Sequence, residues 1–306
     1  MNFAYLGELA ALGTALCWTF GSQMFEAAGK MVGATVVNWL RLILALVFFC
    51  IVSLIIRGTL VPLDFPLHSW IWLGLSGFIG FSLGDLFLFR AFVIIGPRLS
   101  MLVMTLTAPI SAILGMVFLG EEYTTLHWLG MVITLVGVAW VILERSGQQV
   151  SGKRQVRVIA FSGVLFAFLG TIGQAIGYIL SKYGMMIGDN FLEPFGATQI
   201  RILAGIIGFT PFLFYRKSWG KVKAALGNRP AMSIMTAASL VGPFLGVSLS
   251  LLALHYTTVG IASTIIALVP IFLIPSVILF SHEHVSLRAI AGAFVAVGGV
   301  ILLLIK

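Results

Sequence analysis

The stretch WTFGSQMFEAAGK at residues 18–30 returns as GTIGQAIGYILSK at residues 170–182, so that Trp18-Thr19-Phe20-Gly21 lies over Gly170-Thr171-Ile172-Gly173 and Lys30 over Lys182, an offset of 152. Outward from this pair, further landmarks repeat in the same order. Arg41 lies over Arg201 at an offset of 160, and Pro109…Glu122 over Pro270…Glu283 at 161. Gly80 and Gly84 lie over Gly242 and Gly246, and Gly130 and Gly137 over Gly292 and Gly299, all at 162. An offset that drifts by only ten residues marks two copies of one hydrophobic pattern, 1–144 and 152–306.

Composition identifies the solvent of both copies. The chain has 306 residues, is 60% hydrophobic and 9% charged, and has a mean hydropathy of +1.11. A soluble domain averages about 25% charged residues, so this chain has too little polar surface to face water all round. Ten hydrophobic runs approach the roughly 20 residues that a spanning helix needs. They cover about 4–28, 34–56, 68–92, 98–119, 125–143, 158–181, 193–215, 231–255, 258–280 and 285–305. The runs do not alternate as barrel strands would. The expected fold is an all-α integral membrane protein with ten transmembrane helices, five per copy. An odd number of crossings turns the second copy upside down. Such an inverted repeat is the architecture of secondary transporters, with the site at the repeat interface.

Charge placement follows the same reading. The net charge of +8 comes largely from two loops, Arg145, Lys153, Arg154 and Arg157, then Arg216, Lys217, Lys221, Lys223 and Arg229. With Lys30, Arg98 and Arg288, the face opposite the termini carries twelve Lys/Arg, against Arg57, Lys182 and Lys306 on the face of the termini. Short basic loops between spans are topogenic rather than nucleic-acid binding. The count places the termini outside the cytoplasm of a multi-pass protein of the cell inner membrane. Met1-Asn2-Phe3 has no basic n-region, so the first span is expected to be retained. Cys17 and Cys50 lie inside spans and form neither a disulfide framework nor a zinc spacing.

The repeated landmarks resemble the drug/metabolite transporter superfamily, in particular its EamA-type permeases. The resemblance rests on Trp18 near the middle of the first span and on the small-residue entries Leu99-Ser100-Met101 and Ile261-Ala262-Ser263. It rests also on Pro109-Ile110…Gly120-Glu121-Glu122 and Pro270-Ile271…His282-Glu283, and on Gly130…Gly137-Val138 and Gly292…Gly298-Gly299-Val300. The second copy departs in carrying Gly170 in place of Trp18 and Ser281-His282 ahead of Glu283. The resemblance implies that spans one to four and six to nine surround a cavity, with five and ten at the periphery. It also implies export or exchange of small metabolites without a cofactor.

The polar residues inside spans are the candidate site, because a charge in lipid is expensive and defaults to a functional hypothesis. Asp85 lies deep in the third span and maps onto Val247, so the scaffold does not require it. It is the leading substrate-binding or coupling residue, against the alternative of an internal salt bridge. Arg90, five residues on, projects about 140° away from it and snorkels or pairs between helices if it does not meet substrate. Arg41 and Arg201 are symmetric, about 10 Å inside their spans; they serve the scaffold or wall an anionic substrate. Glu26 is a second candidate, or else an i,i+4 partner of Lys30, and maps onto Tyr178. Gln23, Asn38, Gln174 and Gln199 complete the lining or hydrogen-bond between helices, and Trp18 stacks on substrate or packs. Glu122 and Glu283 are expected at the interface, and His255 beside Tyr256 likewise. The GxxxG stripes at Gly80, Gly173 and Gly242 allow close packing. Pro109, Pro211, Pro243, Pro270 and Pro275 should kink their spans, with Pro109 and Pro270 as paired bending points.

No phosphate loop, metal cluster or nucleophile–base pair stands out in the sequence. The expected function is a secondary carrier, not an enzyme, driven by a proton or exchange gradient and without cofactor, nucleotide hydrolysis or nucleic acid. Its partners would be the lipid bilayer and a small polar or amphipathic solute, with amino acids and related zwitterions preferred, and a monomer would suffice. A flippase for a lipid-linked headgroup, a multidrug or cation efflux carrier, a channel and an intramembrane enzyme are the alternatives.

Overall fold

A computed structural model describes residues 5–95, 97–147, 161–188, 190–272 and 287–304. Glu283, Pro275, Lys153, Arg154, Arg157 and Lys306 lie outside these residues, as does Met1-Asn2-Phe3. The described chain is almost wholly helical. Six helices are long and apolar enough to cross a membrane: Thr35–Arg57, Leu67–Leu88, Ser100–Leu119, Phe161–Met185, Pro194–Tyr215 and Arg229–Tyr256. Shorter apolar helices run over Thr125–Val141, Val259–Phe272 and Ile290–Leu304.

The first copy begins with α1 (Leu6–Val32) and α2 (Ala34–Arg57). They are separated by Gly33 at φ +91°, a conformation few side chains tolerate. Then come α3 (Leu67–Gly77), a π-helical segment (Phe78–Gly84) and α4 (Asp85–Ile95), followed by α5 (Pro97–Met104), α6 (Thr107–Leu119) and α7 (Thr125–Gly147). The second copy has α8 (Phe161–Met185), a hairpin of β1 (Met186–Ile187) and β2 (Asn190–Phe191), and α9 (Pro194–Tyr215). It continues with α10 (Trp219–Gly227), α11 (Arg229–Ser239), a second π segment (Leu240–Gly246), α12 (Val247–Tyr256), α13 (Val259–Ile266) and α14 (Leu287–Leu304). The hairpin pairs Met186 with Phe191 and Ile187 with Asn190 around Gly188 at φ +57°. It is a small exception to the all-α expectation.

The two π segments fall at the same offset of 162 as the glycines inside them. Sequence periodicity reads Gly80-x-x-x-Gly84 and Gly242-x-x-x-Gly246 as straight α-helical stripes. Instead each stripe lies in a wider turn, a form that concentrates at functional sites. Pro243, which has no N–H to donate, sits inside the second segment. The close packing itself holds. A Cβ on Gly21 would lie 3.5 Å from Gly242 Cα, and one on Gly173 would lie 3.1 Å from Gly84 Cα. Hence α1 packs on the α11–α12 helix of the other copy, and α8 packs reciprocally on α3–α4.

The paired prolines break their helices as the sequence predicts. The proline ring excludes the carbonyl four residues earlier from the helical ladder. Helix α5 ends at Met104 and α6 resumes at Thr107, flanking Thr105, the residue four before Pro109. Helix α13 ends at Ile266, four before Pro270, and turns at Ala267–Leu268. Pro211 is accommodated inside α9. Helices α7 and α14 pack on one another through glycine: a Cβ on Gly130 would meet Gly299 O at 2.8 Å, and one on Gly292 would meet Gly137 O at 3.2 Å. Val132, Val136 and Leu143 on α7 and Phe294, Val297 and Ile301 on α14 are exposed, apolar surface suited to hydrocarbon.

Candidate functional site

The charged centre is built from α2, α4 and α9. Asp85 is the first residue after the π segment, and Arg41 of α2 donates to its carboxylate. The side chains of this ion pair are 8% and 15% exposed. Arg41 also stands over the Phe25 ring at 5.7 Å, while its Nε has no hydrogen-bond partner among the described residues. One helical turn away, Asn38 is fully buried and, among the described residues, neither atom of its amide has a hydrogen-bond partner.

Arg201 occupies the corresponding place on α9, where Val247 stands instead of a carboxylate at the position matching Asp85. It is 1% exposed, and its Nε and Nη1 have no hydrogen-bond partner among the described residues. Its guanidinium lies 4.8 Å from the Phe81 ring centroid, a cation–π contact. Gly80 and Gly177 leave the room it fills: a Cβ on either would lie 3.6 or 3.7 Å from Nη2. Asp85 and the buried Tyr178 are within electrostatic reach of Arg201, and Gln174 hydrogen-bonds to Tyr178 one turn away on α8. Among the described residues, two guanidiniums and one carboxylate thus share the buried interior.

One end of the molecule is stapled between the copies. Arg57 bonds Asp64 at 2.5 and 2.6 Å and reaches Glu193 of the second copy at 2.5 Å, with Phe65 under its guanidinium at 4.8 Å. Lys182 donates to Glu121 and to Thr257 O, both at 2.8 Å. The Glu121 carboxylate also accepts from Val259 N at 3.0 Å, capping the start of α13. Tyr123 donates to Glu121 at 2.5 Å and accepts from Gly260 N at 2.9 Å. Burial first, and the Glu121 charge second, push the Tyr123 phenol well above its ordinary range, so it stays a donor.

Residues 5–143 and residues 161–305 each match the EamA-like transporter family. The chain belongs to this family. Its members are membrane transporters of the drug/metabolite type, as the repeated motifs imply. In fold, this EamA-like transporter is similar to a solved crystal structure described only as that of a protein, with a TM-score of 0.68 and 15% identity over 97% of this chain and 95% of that one. No curated protein matches it in sequence.

The remaining candidates of this EamA-like chain fall in different places. Gln174 and Tyr178 join the Arg201 environment. Gln199 does not face it: its amide donates to Leu60 O at 2.6 Å and tethers the loop after α2. Gln23 donates to Thr19 O on its own helix at 3.0 Å. Trp18 packs with the Phe49, Phe81 and Phe244 cluster. Arg90 is exposed and lies over the Phe166 ring at 5.6 Å, apart from Asp85, as the helical angle predicts. The side chain of Glu26 lies outside the described residues. His255 stacks on Phe191 and Tyr256 at 4.6 and 4.4 Å. Among the described residues no group of three or more His, Cys, Asp or Glu has metal geometry. Sequence reasoning passed over Glu121 in favour of its neighbour Glu122, which is exposed. The signal available was Lys182, a cation matched in both copies and in need of a partner.

Proposed function

We propose that this EamA-like protein is a ten-span secondary carrier of five-plus-five inverted topology that moves a small solute bearing a carboxylate, with amino acids and related zwitterions preferred. The observation that carries this reading is the unequal treatment of the two arginines. Asp85 is taken by Arg41, so a cationic solute would have to displace a guanidinium. Arg201 is buried, with Nε and Nη1 unmet among the described residues. Leaving a charge buried and uncompensated costs several kcal/mol, and a carboxylate is the group that accepts from a guanidinium fork. The α-amino group of a zwitterion would then lie near Tyr178 and Gln174, which share the Arg201 environment. The shorter apolar helices and the 27-residue α1 bring the spans to ten, and reciprocal packing of α1 and α8 supports inverted copies. Broken helices at Pro109 and Pro270 are the bending points, and the Arg57 and Lys182 staples hold one end shut. A proton or counter-solute gradient supplies the energy, and the protein works in the cell inner membrane as a monomer.

Counterflow uptake by purified protein in liposomes tests this. The panel is labelled amino acids, organic acids and organic cations, with Arg201→Gln beside wild type. The expected result is saturable counterflow of a carboxylate-bearing compound, reduced roughly 10- to 100-fold in the variant, the worth of one or two charge-assisted hydrogen bonds. Counterflow of cations alone, untouched by Arg201→Gln, would refute the proposal.

A further inference from the structure

A concave site lies away from the central charges. Helix α2 carries Arg57 of the stapled end at one terminus; at its other terminus a cavity of about 450 Å³ opens where α1 turns into α2 and α9 turns into α10. Gly33, Thr35 and Val36 line it from the first copy, and Tyr215, Lys217 and Lys221 from the second, with Arg216 also in its wall. Among the described residues, the wall holds three cations and no carboxylate.

Its setting is the edge of the hydrocarbon. The apolar span Pro194–Tyr215 ends at the cavity mouth, and Phe214 and Tyr215 are 64% and 83% exposed. Aromatic rings at span ends occupy the headgroup level. Helix α10 lies there with Val222 and Ala225 buried and Lys221 and Lys223 turned outward. Its position is fixed by Trp219, which meets Trp39 edge-on at 5.2 Å and Phe214 at 5.1 Å. Gly33, without a side chain and at φ +91°, leaves one wall open. Lys217 holds φ +48°, a sterically disfavoured conformation for a residue with a Cβ, within the turn that joins α9 to α10. Packed aromatics thus preform a basic pocket whose floor is half apolar (Val32 and Val36), beside the acyl region.

We propose that this cavity binds the phosphodiester headgroup of an anionic phospholipid through Arg216, Lys217 and Lys221. A soluble phosphate would use the same cations but would gain nothing from the valines or the span-end aromatics. Basic side chains at this depth attract anionic lipid.

Native mass spectrometry of the full chain released from detergent, titrated with phosphatidylglycerol or phosphatidylcholine, is the test. The expected result is retention of one phosphatidylglycerol, weakened about tenfold or more in the double variant Lys217→Gln/Lys221→Gln. The charge-keeping Lys217→Arg/Lys221→Arg should retain it. So should Lys223→Gln/Arg229→Gln, whose exposed cations lie outside the cavity. Phosphatidylcholine should not be retained, and excess inorganic phosphate should not displace the lipid. Equal retention of phosphatidylcholine, equal weakening by the Lys223/Arg229 variant, or displacement by inorganic phosphate would each overturn the proposal.

Discussion

Arg41 and Arg201 stand at matching positions of two copies of one scaffold, yet one has a carboxylate and the other has an aromatic face and open donors. The π segments, glycine contacts and proline breaks are shared between the copies, so packing alone does not account for the difference. The hydrogen-bonded carboxylate comes from a single exchange, Asp85 in one copy and Val247 in the other.

The largest expected effect comes from erasing the difference. Asp85→Val makes the first copy like the second and leaves both guanidiniums without a carboxylate. Removing one partner of a buried pair costs about 3–5 kcal/mol, so the purified variant should unfold at a clearly lower temperature or fail to accumulate. Val247→Asp equalises the copies the other way. It should keep the fold while supplying Arg201 with an internal anion, lowering counterflow of a carboxylate solute roughly 10- to 100-fold.

Smaller effects sharpen the comparison at its edges. Glu121→Gln removes the charge that Lys182, Tyr123 and the start of α13 share, an expected loss of about 1.5–3 kcal/mol of stapling. Faster labelling of a cysteine placed at the stapled end would report it. The matched glycines should respond in opposite registers. Gly242→Ala presses a Cβ to 3.2 Å from the Phe25 ring and should lower stability by about 1 kcal/mol with little change in transport. Gly80→Ala meets Arg201 Nη2 at 3.6 Å and should be nearly silent in stability while altering the apparent affinity for solute.

Much of this was legible in the sequence because it is periodic. The repeat, the symmetric arginines, the lone Asp85 and the proline breaks all follow from residue type and spacing. Four features were not, each for a physical reason. The π segments share the glycine spacing of an ordinary packed stripe, and only the neighbouring helix decides how the turn is wound. The choice of Glu121 over Glu122 depends on where α13 begins in space, since its free N–H groups are the acceptor's target. Gln199 reads as a lining amide, yet a loop carbonyl at Leu60 claims it, and loop paths leave no periodic mark. That Asp85 would bind Arg41 rather than Arg201 was open for the same reason, because both lie about one helix away.

The central claim is that Asp85 compensates Arg41 and leaves Arg201 awaiting an anion. Thermal unfolding of ligand-free Arg41→Met and Arg201→Met in one detergent tests it most directly. Arg41→Met strands a buried carboxylate and is predicted to lower the midpoint. Arg201→Met removes a buried guanidinium that no hydrogen-bonded carboxylate holds among the described residues and is predicted to leave the midpoint unchanged or raise it. Equal falls in both would contradict the account, because Arg201 would then be as much a partner of the fold as Arg41.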